Sequence, residues 1–590
     1  MNVEELNAII DSKFKLPIVE GEDKLCPVDE AIRKNVKKGM SIHFAGRGGV
    51  LFYQLVREFW GKDPQFTIIN NLAATVISLL QGKMVKKVIA SFAGDGYPSS
   101  GPNPVIRQAY LSGEVQFENW TMLTVPQRLL AGAMGWGFSP TRSIIGSSME
   151  EENKDSFKVT SDPFNPGEKI GLVKELRPDI ALIHGAAADR CGNLILTYPL
   201  SGDVFGAWGA KNGVIVSAEK IVSTEYIRQH SHLVRIPSYM VKAVCEVPFG
   251  AHPGGMTNRG LPEFEHYFDD YDFVVDVREA SRDEDKFLKW IKYWILDCKD
   301  HKEYLAKVGR DRLLYLKGKA HSDSWKNEMT AALPETDFTK KPNPTELMII
   351  AASHAIEKKF IDGGYKTILT GLGVSNLATW LAIGKLKEKG HEVDLMAEIG
   401  MYGYLPRASD PTIFGYYNIQ TCKILNNIET MLGVFVGGST NSCIGVLAAG
   451  QVDRCGNANS TLIPGVTYLV GSGGANDIAT NNRETVVVIN SGKSRLLDKV
   501  PYITFPGKKV KTLVTDIGVF EKLGDNETFT LTSYIPSHPA QKASDAIAAA
   551  REKVGWELEI SPKLKKAQPP TKEELTLLRL FDPRGFFTGF

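Results

Sequence analysis

The pentapeptide DRCGN occurs twice, at residues 189–193 and again at 453–457. An exact repeat 264 positions apart in a 590-residue chain points to an internal duplication, with a period too long for a solenoid. The flanking segments support it. Residues 28–71 read as a helix ("VDEAIRKNVKKGM"), a strand ("SIHFA"), a Gly-rich turn ("GRGGV"), a second helix ("LFYQLVREFW") and a second strand ("FTIINN"). Residues 344–398 repeat that order with "TELMIIAASHAIEKKFI", "YKTILT", "GLGVSN", "LATWLAIGKLKEKG" and "HEVDLMAE", and Asn343-Pro344 supplies a helix start. Placing Gly46 on Gly371 brings Asn70 and Asn71 near the position of Glu398, and aligning DRCGN brings Asn212 onto Asn476.

Strands alternating with helices predict an α/β fold of two tandem, related, open and mostly parallel sheets. The turn-to-DRCGN distance is 143 residues in the first copy (46 to 189) and 82 in the second (371 to 453), so the first copy carries about 61 more, including "SFAGDGYPSSGPNP". The join is expected in the polar, Pro-bearing stretch 321–344, which divides the chain into 1–325, a linker 326–344 and 345–590. The C-terminal "SPKLKKAQPPTKEEL" reads as an exposed tail around a short linker.

Composition narrows the function classes. A net charge of +1 gives no electrostatic case for a nucleic-acid partner or an anionic membrane surface. No apolar run reaches the roughly 18–20 residues of a membrane span. The N-terminal "MNVEELNAIIDSKFKLP" lacks the basic-then-apolar order of a signal peptide. Seven cysteines without a CxxC pair support neither a disulfide framework nor a zinc site, and no other metal-ligand spacing occurs. The expected setting is a reducing cytoplasm.

DRCGN itself reads as scaffolding: Asp forms an Asx turn, Gly supplies a positive φ, and strands flank the motif. Neither Cys191 nor Cys455 has a base nearby in sequence to activate it. Glu398, in "AEIGMYGYLP", is the stronger chemical candidate. It ends an apolar strand, Gly400 and Gly403 follow, and ligands bind at the carboxyl ends of strands in open α/β sheets. A carboxylate held there can attack an activated acyl group; the alternative is a solvent-facing side chain or a pair with Arg407. "GSGGANDIA" at 471–479 is a second candidate, a Gly-rich turn able to offer backbone N–H groups to an anion, although it is neither GxGxxG nor a P-loop. His43 and His184 lie within apolar strands and read as core histidines. Glu114 and Glu118 read as solvated carboxylates or catalytic ones, and Arg142 as a partner of a substrate carboxylate or of Glu150.

Three stretches carry a specific resemblance: "FENWTMLTVPQRLLAGAMGWGFSPTRSIIGS", "LMAEIGMYGYLP" and "GGSTNSCIGVLAAGQVDRCGNANSTLI…LVGSGGANDIA". Together they make the chain resemble a family I CoA-transferase of the glutaconate CoA-transferase-like branch, with A and B subunits fused in that order. The resemblance implies an active site between the halves, with Glu398 as the catalytic glutamate. It also implies CoA contact and oxyanion stabilisation by Gly371, Gly373, Val374, Gly400, Gly403, Gly471, Gly473, Gly474, Asn476 and Asp477, with the loop Gly46, Gly48 and Gly49 completing the pocket. The implied reaction is ping-pong transfer through a glutamyl-CoA thioester, with no cofactor beyond CoA as substrate and no metal. A homo-oligomer, dimer or tetramer, is implied too. The acid-binding wall is expected around Ser91–Pro104 and Arg142, with Glu118 as a further candidate. A related branch of CoA-thioester ring-opening hydrolases lacks the second-half glutamate and uses a first-half carboxylate, here Glu118 or Glu114; the presence of Glu398 favours transfer. A non-enzymatic acyl-CoA sensor on this scaffold would need neither carboxylate.

Overall fold

The computed structural model describes residues 1–590 apart from 46, 47, 203, 539 and 590. In the first half, helix α1 (Val28–Asn35) precedes strand β1 (Ser41–Ala45), helix α2 (Gly49–Phe59) and strand β2 (Phe66–Ile69). Strands β3 (Val85–Ala90), β4 (Gln116–Asn119), β5 (Ile180–Asp189), β6 (Val214–Val222) and β7 (Val241–Glu246) follow. They form a parallel sheet in the order β4-β3-β2-β1-β5-β6-β7. All ten residues of β5, "IALIHGAAAD", are buried, as a central parallel strand covered on both faces requires.

The second half begins with helix α3 (Pro344–Asp362), whose capping box joins Asn343 and Glu346. Strand β8 (Thr367–Thr370), helix α4 (Val374–Glu388), strand β9 (Asp394–Ala397) and strand β10 (Met401–Tyr404) come next, and β11 (Cys443–Ala448), β12 (Glu484–Val488) and β13 (Val510–Thr515) complete the core. Its parallel order, β9-β8-β11-β12-β13, repeats β2-β1-β5-β6-β7 strand for strand. The copies differ beyond the outer strand of this unit. The first adds β3 and β4 there, while the second turns back through the antiparallel β10. The additional first-half residues also build a small antiparallel sheet from Phe138–Thr141, Phe157–Ser161 and Lys169–Lys174.

The two DRCGN segments adopt the same turn. Asp189 Oδ1 accepts from the N–H groups of Gly192 (2.9 Å) and Asn193 (2.8 Å), and its Oδ2 accepts from the Asn193 amide (2.8 Å) and the Thr224 hydroxyl (3.1 Å). Asp453 Oδ1 accepts from the N–H groups of Cys455 and Asn457, each at 3.0 Å, and its Oδ2 from the Asn457 amide at 3.0 Å. Gly192 and Gly456 both take positive φ, +107° and +77°. The aspartate is the hub and the glycine the hinge, so the motif is scaffolding. All seven cysteines are free thiols.

Two parts differ from the sequence reading. The stretch expected to be a linker opens with a helix, Ser324–Ala332. The expected exposed tail is largely exposed but structured: Glu559–Lys566 adds an edge strand, and helix Lys572–Phe581 docks on α3 and α4. Arg579, 1% exposed, pairs with Glu346 at 2.8 Å and donates to the carbonyls of Asp337 and Lys340. Glu574 binds His354 at 2.6 Å and also Lys385. Within 561–575 only Glu574 is buried, as the lysine-rich composition indicates; the burial of Leu578 and Arg579 lies just beyond it. Among the described residues, no helix is long and apolar enough to cross a membrane.

Candidate active site

Strand β9 ends at Ala397, and Glu398, Ile399 and Gly400 form the turn that leads into β10, with Ala397 paired to Met401. Glycine is needed at 400: φ is +118°, and a Cβ there would run into the Asn426 carbonyl. Gly403 likewise has φ +67° and packs on the Lys423 side chain. Both glycines therefore shape the turn that presents Glu398.

Glu398 is half-buried and has no ion pair or hydrogen bond among the described residues. Arg407, the alternative partner, lies over the Trp325 ring at 5.5 Å instead. Burial, followed by the charge of Asp477, pushes the Glu398 carboxyl up to about 8.

The segment 470–474 binds Glu398 to the first half. Ala93 N–H donates to the Val470 carbonyl (2.8 Å), Gly473 N–H to the Ser91 carbonyl (3.0 Å) and Met122 N–H to the Gly473 carbonyl (2.9 Å). Gly474 then lies directly against the Glu398 carboxylate: a Cβ at 474 would collide with Oε2. The next helix, α5 (Ala475–Asn481), anchors the seam. Asp477 accepts from the Thr121 hydroxyl (2.6 Å) and from Leu123 N–H (3.0 Å). Asn476 accepts from Ile144 N–H (2.8 Å) and donates to the Thr504 carbonyl (2.9 Å). Burial raises the Asp477 carboxyl to about 6, against the opposing hydrogen bonds.

Several expected ligand groups have other duties. Asn476 and Asp477 are fully buried, and their side chains hold the halves together. The N–H groups of Gly371, Gly471 and Gly473 already donate to the carbonyls of Val446 (2.8 Å), Ser460 (3.2 Å) and Ser91 (3.0 Å). Gly373, at φ +114°, and Val374 open helix α4, where the first amide N–H groups have no partner within the helix. Gly46 lies outside the described residues. Gly48 packs on His184, and Gly49 is pressed against the His252 carbonyl.

Three residues expected at the acid wall also have partners. Ser91 is 1% exposed, its hydroxyl donates to the Asn71 carbonyl at 2.7 Å, and its role is in the seam. Arg142 is exposed and lies 3.9 Å from Glu168 and 3.4 Å from the Gly437 carbonyl; Glu150 binds Gly146 N–H instead. Glu118 accepts from Arg128 (2.8 Å) and Trp120 (2.7 Å) and pairs with Lys87. Burial pushes its carboxyl up, but Arg128 and Lys87 outweigh that and hold it below the usual range. A carboxylate so occupied is a poor general acid or base. Glu114 is exposed. His43 bonds the Ile69 carbonyl at 3.1 Å, and His184 bonds Ser217 (2.9 Å) and Glu219 (2.8 Å), as core histidines should.

Sequence reasoning did not single out Thr121, Met122 and Leu123, which receive the second-half loop, or Ile399 beside the glutamate. All four lie in stretches that carry the resemblance, and the first three also lie just past the end of β4, a carboxyl end of the first sheet.

The family model for coenzyme A transferases matches residues 27–247. The glutaconate CoA-transferase of Acidaminococcus fermentans has two kinds of polypeptide, and the chain is similar to both. To the first it is 32% identical over 225 residues, covering 36% of this chain and 68% of that polypeptide. To the second it is 28% identical over 159 residues, covering 24% of this chain and 56% of that polypeptide. It is 30% identical over 302 residues to an uncharacterized protein of Archaeoglobus fulgidus, half of this chain, and spans 64% of that protein's length. The apoenzyme of the acyl-CoA transferase YdiF from Escherichia coli O157:H7 shares the fold, with a TM-score of 0.63, 16% identity, and 98% of this chain and 99% of that one covered. Similarity to both polypeptides of the glutaconate enzyme matches the two fused α/β halves seen in the fold. The chain belongs to the coenzyme A transferase family.

Proposed function

We propose that this chain moves CoA from an acyl-CoA donor to a carboxylic acid acceptor, with Glu398 as the nucleophile. The observation that carries this reading is the state of that side chain. Glu398 is a half-buried carboxylate without a salt bridge among the described residues, fixed at a strand end against a glycine loop in the seam between the halves. Leaving such a group unpaired is costly, and carboxyls perturbed in this way cluster at catalytic sites.

In the reading, a Glu398 oxygen attacks the thioester carbonyl carbon. The C–S bond breaks, CoA leaves as thiolate, and an acyl-glutamyl anhydride remains. The thiolate then attacks the glutamyl carbonyl, which releases the donor's acid and leaves CoA on Glu398 as a thioester. The acceptor carboxylate reverses both steps. Thioester energy is conserved, so no nucleotide is consumed.

Desolvation serves this sequence twice. It makes the Glu398 carboxylate a more basic nucleophile than an exposed one, and it strengthens any dipole directed at the oxyanion. With the N–H groups of Gly371, Gly471 and Gly473 engaged, the amino end of α4 at Gly373 and Val374 is our choice of oxyanion donor. Residues 1–325 and 345–590 are the two halves that build the site. Glu118, held by Arg128 and Lys87, lends no support to a hydrolytic reading. The test is isotope exchange between a labelled carboxylic acid and its CoA thioester: Glu398→Gln should abolish it. Exchange at the wild-type rate in that variant would remove Glu398 from the chemistry.

A further inference from the structure

Beside the glutamate turn lies a cavity of about 80 Å³. Ile183, Leu196, Leu200 and Met256 line it from the first half, and Ile399, the residue after Glu398, lines it from the second. The first-half glycine loop reaches its edge, since Gly48 packs on His184, another lining residue. The cavity thus adjoins both the nucleophile's turn and the seam.

Most polar groups around it are already paired; the Ser201 hydroxyl has no hydrogen bond among the described residues, and the Tyr198 hydroxyl accepts from Arg235. Thr257 donates to the Tyr198 carbonyl (3.0 Å) and lies 3.1 Å from the Thr197 hydroxyl. Both His184 ring nitrogens are engaged by Ser217 and Glu219. No lysine, arginine, aspartate or glutamate is among the described lining residues; Arg47 and Asp203, which are close in sequence to this region, lie outside the described residues.

We infer that this cavity receives the acyl chain, and that the enzyme's acids are short, uncharged aliphatic monocarboxylates of about three to five carbons. This rests on Glu398 being the nucleophile. Size follows from volume: an apolar cavity of about 150 Å³ holds a benzene ring, so one about half as large holds a chain of three or four heavy atoms. Polarity follows from the walls: a second carboxylate in the chain would enter a pocket whose described side chains offer it no counter-charge and only the hydroxyls of Ser201 and Tyr198 as open donors. A chain that fills the pocket gains over one that is a methylene short by about 10-fold or more in kcat/KM.

The experiment uses the full-length protein and follows CoA attachment to Glu398 by mass spectrometry, with acetyl-, propionyl-, isobutyryl-, succinyl- and glutaryl-CoA as separate donors. The expected result is that propionyl- or isobutyryl-CoA loads Glu398 at least about 100-fold faster than succinyl- or glutaryl-CoA. Met256→Trp, which fills the cavity, should lower the isobutyryl-to-acetyl rate ratio by at least about tenfold. Loading by succinyl- or glutaryl-CoA at a rate equal to or above the monocarboxylate donors would overturn the assignment without touching the role of Glu398. An unchanged isobutyryl-to-acetyl ratio in Met256→Trp would overturn it too. Absence of loading on Glu398 from every donor would instead remove the nucleophile reading, and this inference with it.

Discussion

The carboxylate of Glu398 occupies the space that a side chain at Gly474 would need. The two residues come from different elements, one from the turn after β9 and the other from the loop ahead of α5. Their contact fixes where the carboxylate can sit. A methyl group at 474 would not unfold the protein, because the atom it strikes is the free end of a flexible side chain. Gly474→Ala is therefore expected to lower the transfer rate by about 10²-fold, the usual consequence of an ångström-scale displacement of a reacting group. Steady-state kinetics and thermal unfolding, measured together, check this: kcat/KM should fall while the melting temperature moves by a few degrees at most.

The raised carboxyl of Glu398 makes two pH predictions. Attack needs the ionised form, so kcat/KM for acyl-CoA should rise with pH and level off above about pH 8. Asp477→Asn removes a charge that raises Glu398, and should move that midpoint down. Stability runs the other way. A carboxyl whose folded value exceeds its unfolded value stabilises the folded state at low pH, and that contribution is lost as pH rises from about 4.5 to about 8. Glu398→Gln should unfold like wild type at pH 4 and become progressively more stable than wild type up to pH 8, by a few kcal/mol. Parallel denaturant titrations across that range measure the gap.

Glu118 gives the opposite sign. Its carboxyl is held low by Arg128 and Lys87, so its contribution is present at neutral pH and is lost as pH falls through its folded value. Glu118→Gln leaves the buried Arg128 without its counter-charge and should cost about 3–5 kcal/mol of stability. Transfer per folded molecule should stay within a few-fold of wild type. A loss of 100-fold or more in activity, with folding intact, would place catalysis in the first half.

The duplicated turn is expected to matter only for folding. Asp189→Ala strips acceptors from four hydrogen bonds and Asp453→Ala from three, and each should destabilise by about 2–4 kcal/mol. Burial keeps the Cys191 thiol above its usual range, so Cys191→Ser and Cys455→Ser should leave CoA transfer unchanged. Melting temperature and transfer rate, measured on the same four variants, separate the two effects.

What the sequence made legible was local or repeated. The helix–strand order around Gly46 and Gly371, the Asx turns of DRCGN and the strand that delivers Glu398 are all set by near neighbours. What it hid was long-range. Asp477 resembles a ligand beside glycines until Thr121, 356 positions away, takes its oxygen. Gly471 and Gly473 look like open N–H donors until Ser460 and Ser91 accept from them. Glu118 reads as solvated because Lys87 and Arg128 are 31 and 10 positions distant and meet it only across strands β3, β4 and the following helix. In 561–575 the missed group was Glu574, whose partners His354 and Lys385 lie on α3 and α4. Each error assigned to a ligand or to solvent a group that a partner elsewhere in the chain already held, from Ser460, eleven positions from Gly471, to Thr121 in the other half.

The central claim is the covalent role of Glu398, and trapping tests it most directly. The protein is incubated with an acyl-CoA, reduced with borohydride or cleaved with hydroxylamine, digested and mapped by mass spectrometry. The account predicts a modification on Glu398 that requires acyl-CoA and disappears when acceptor acid is added before the quench. Turnover with no modification at Glu398, or with the mark on another residue, would contradict it.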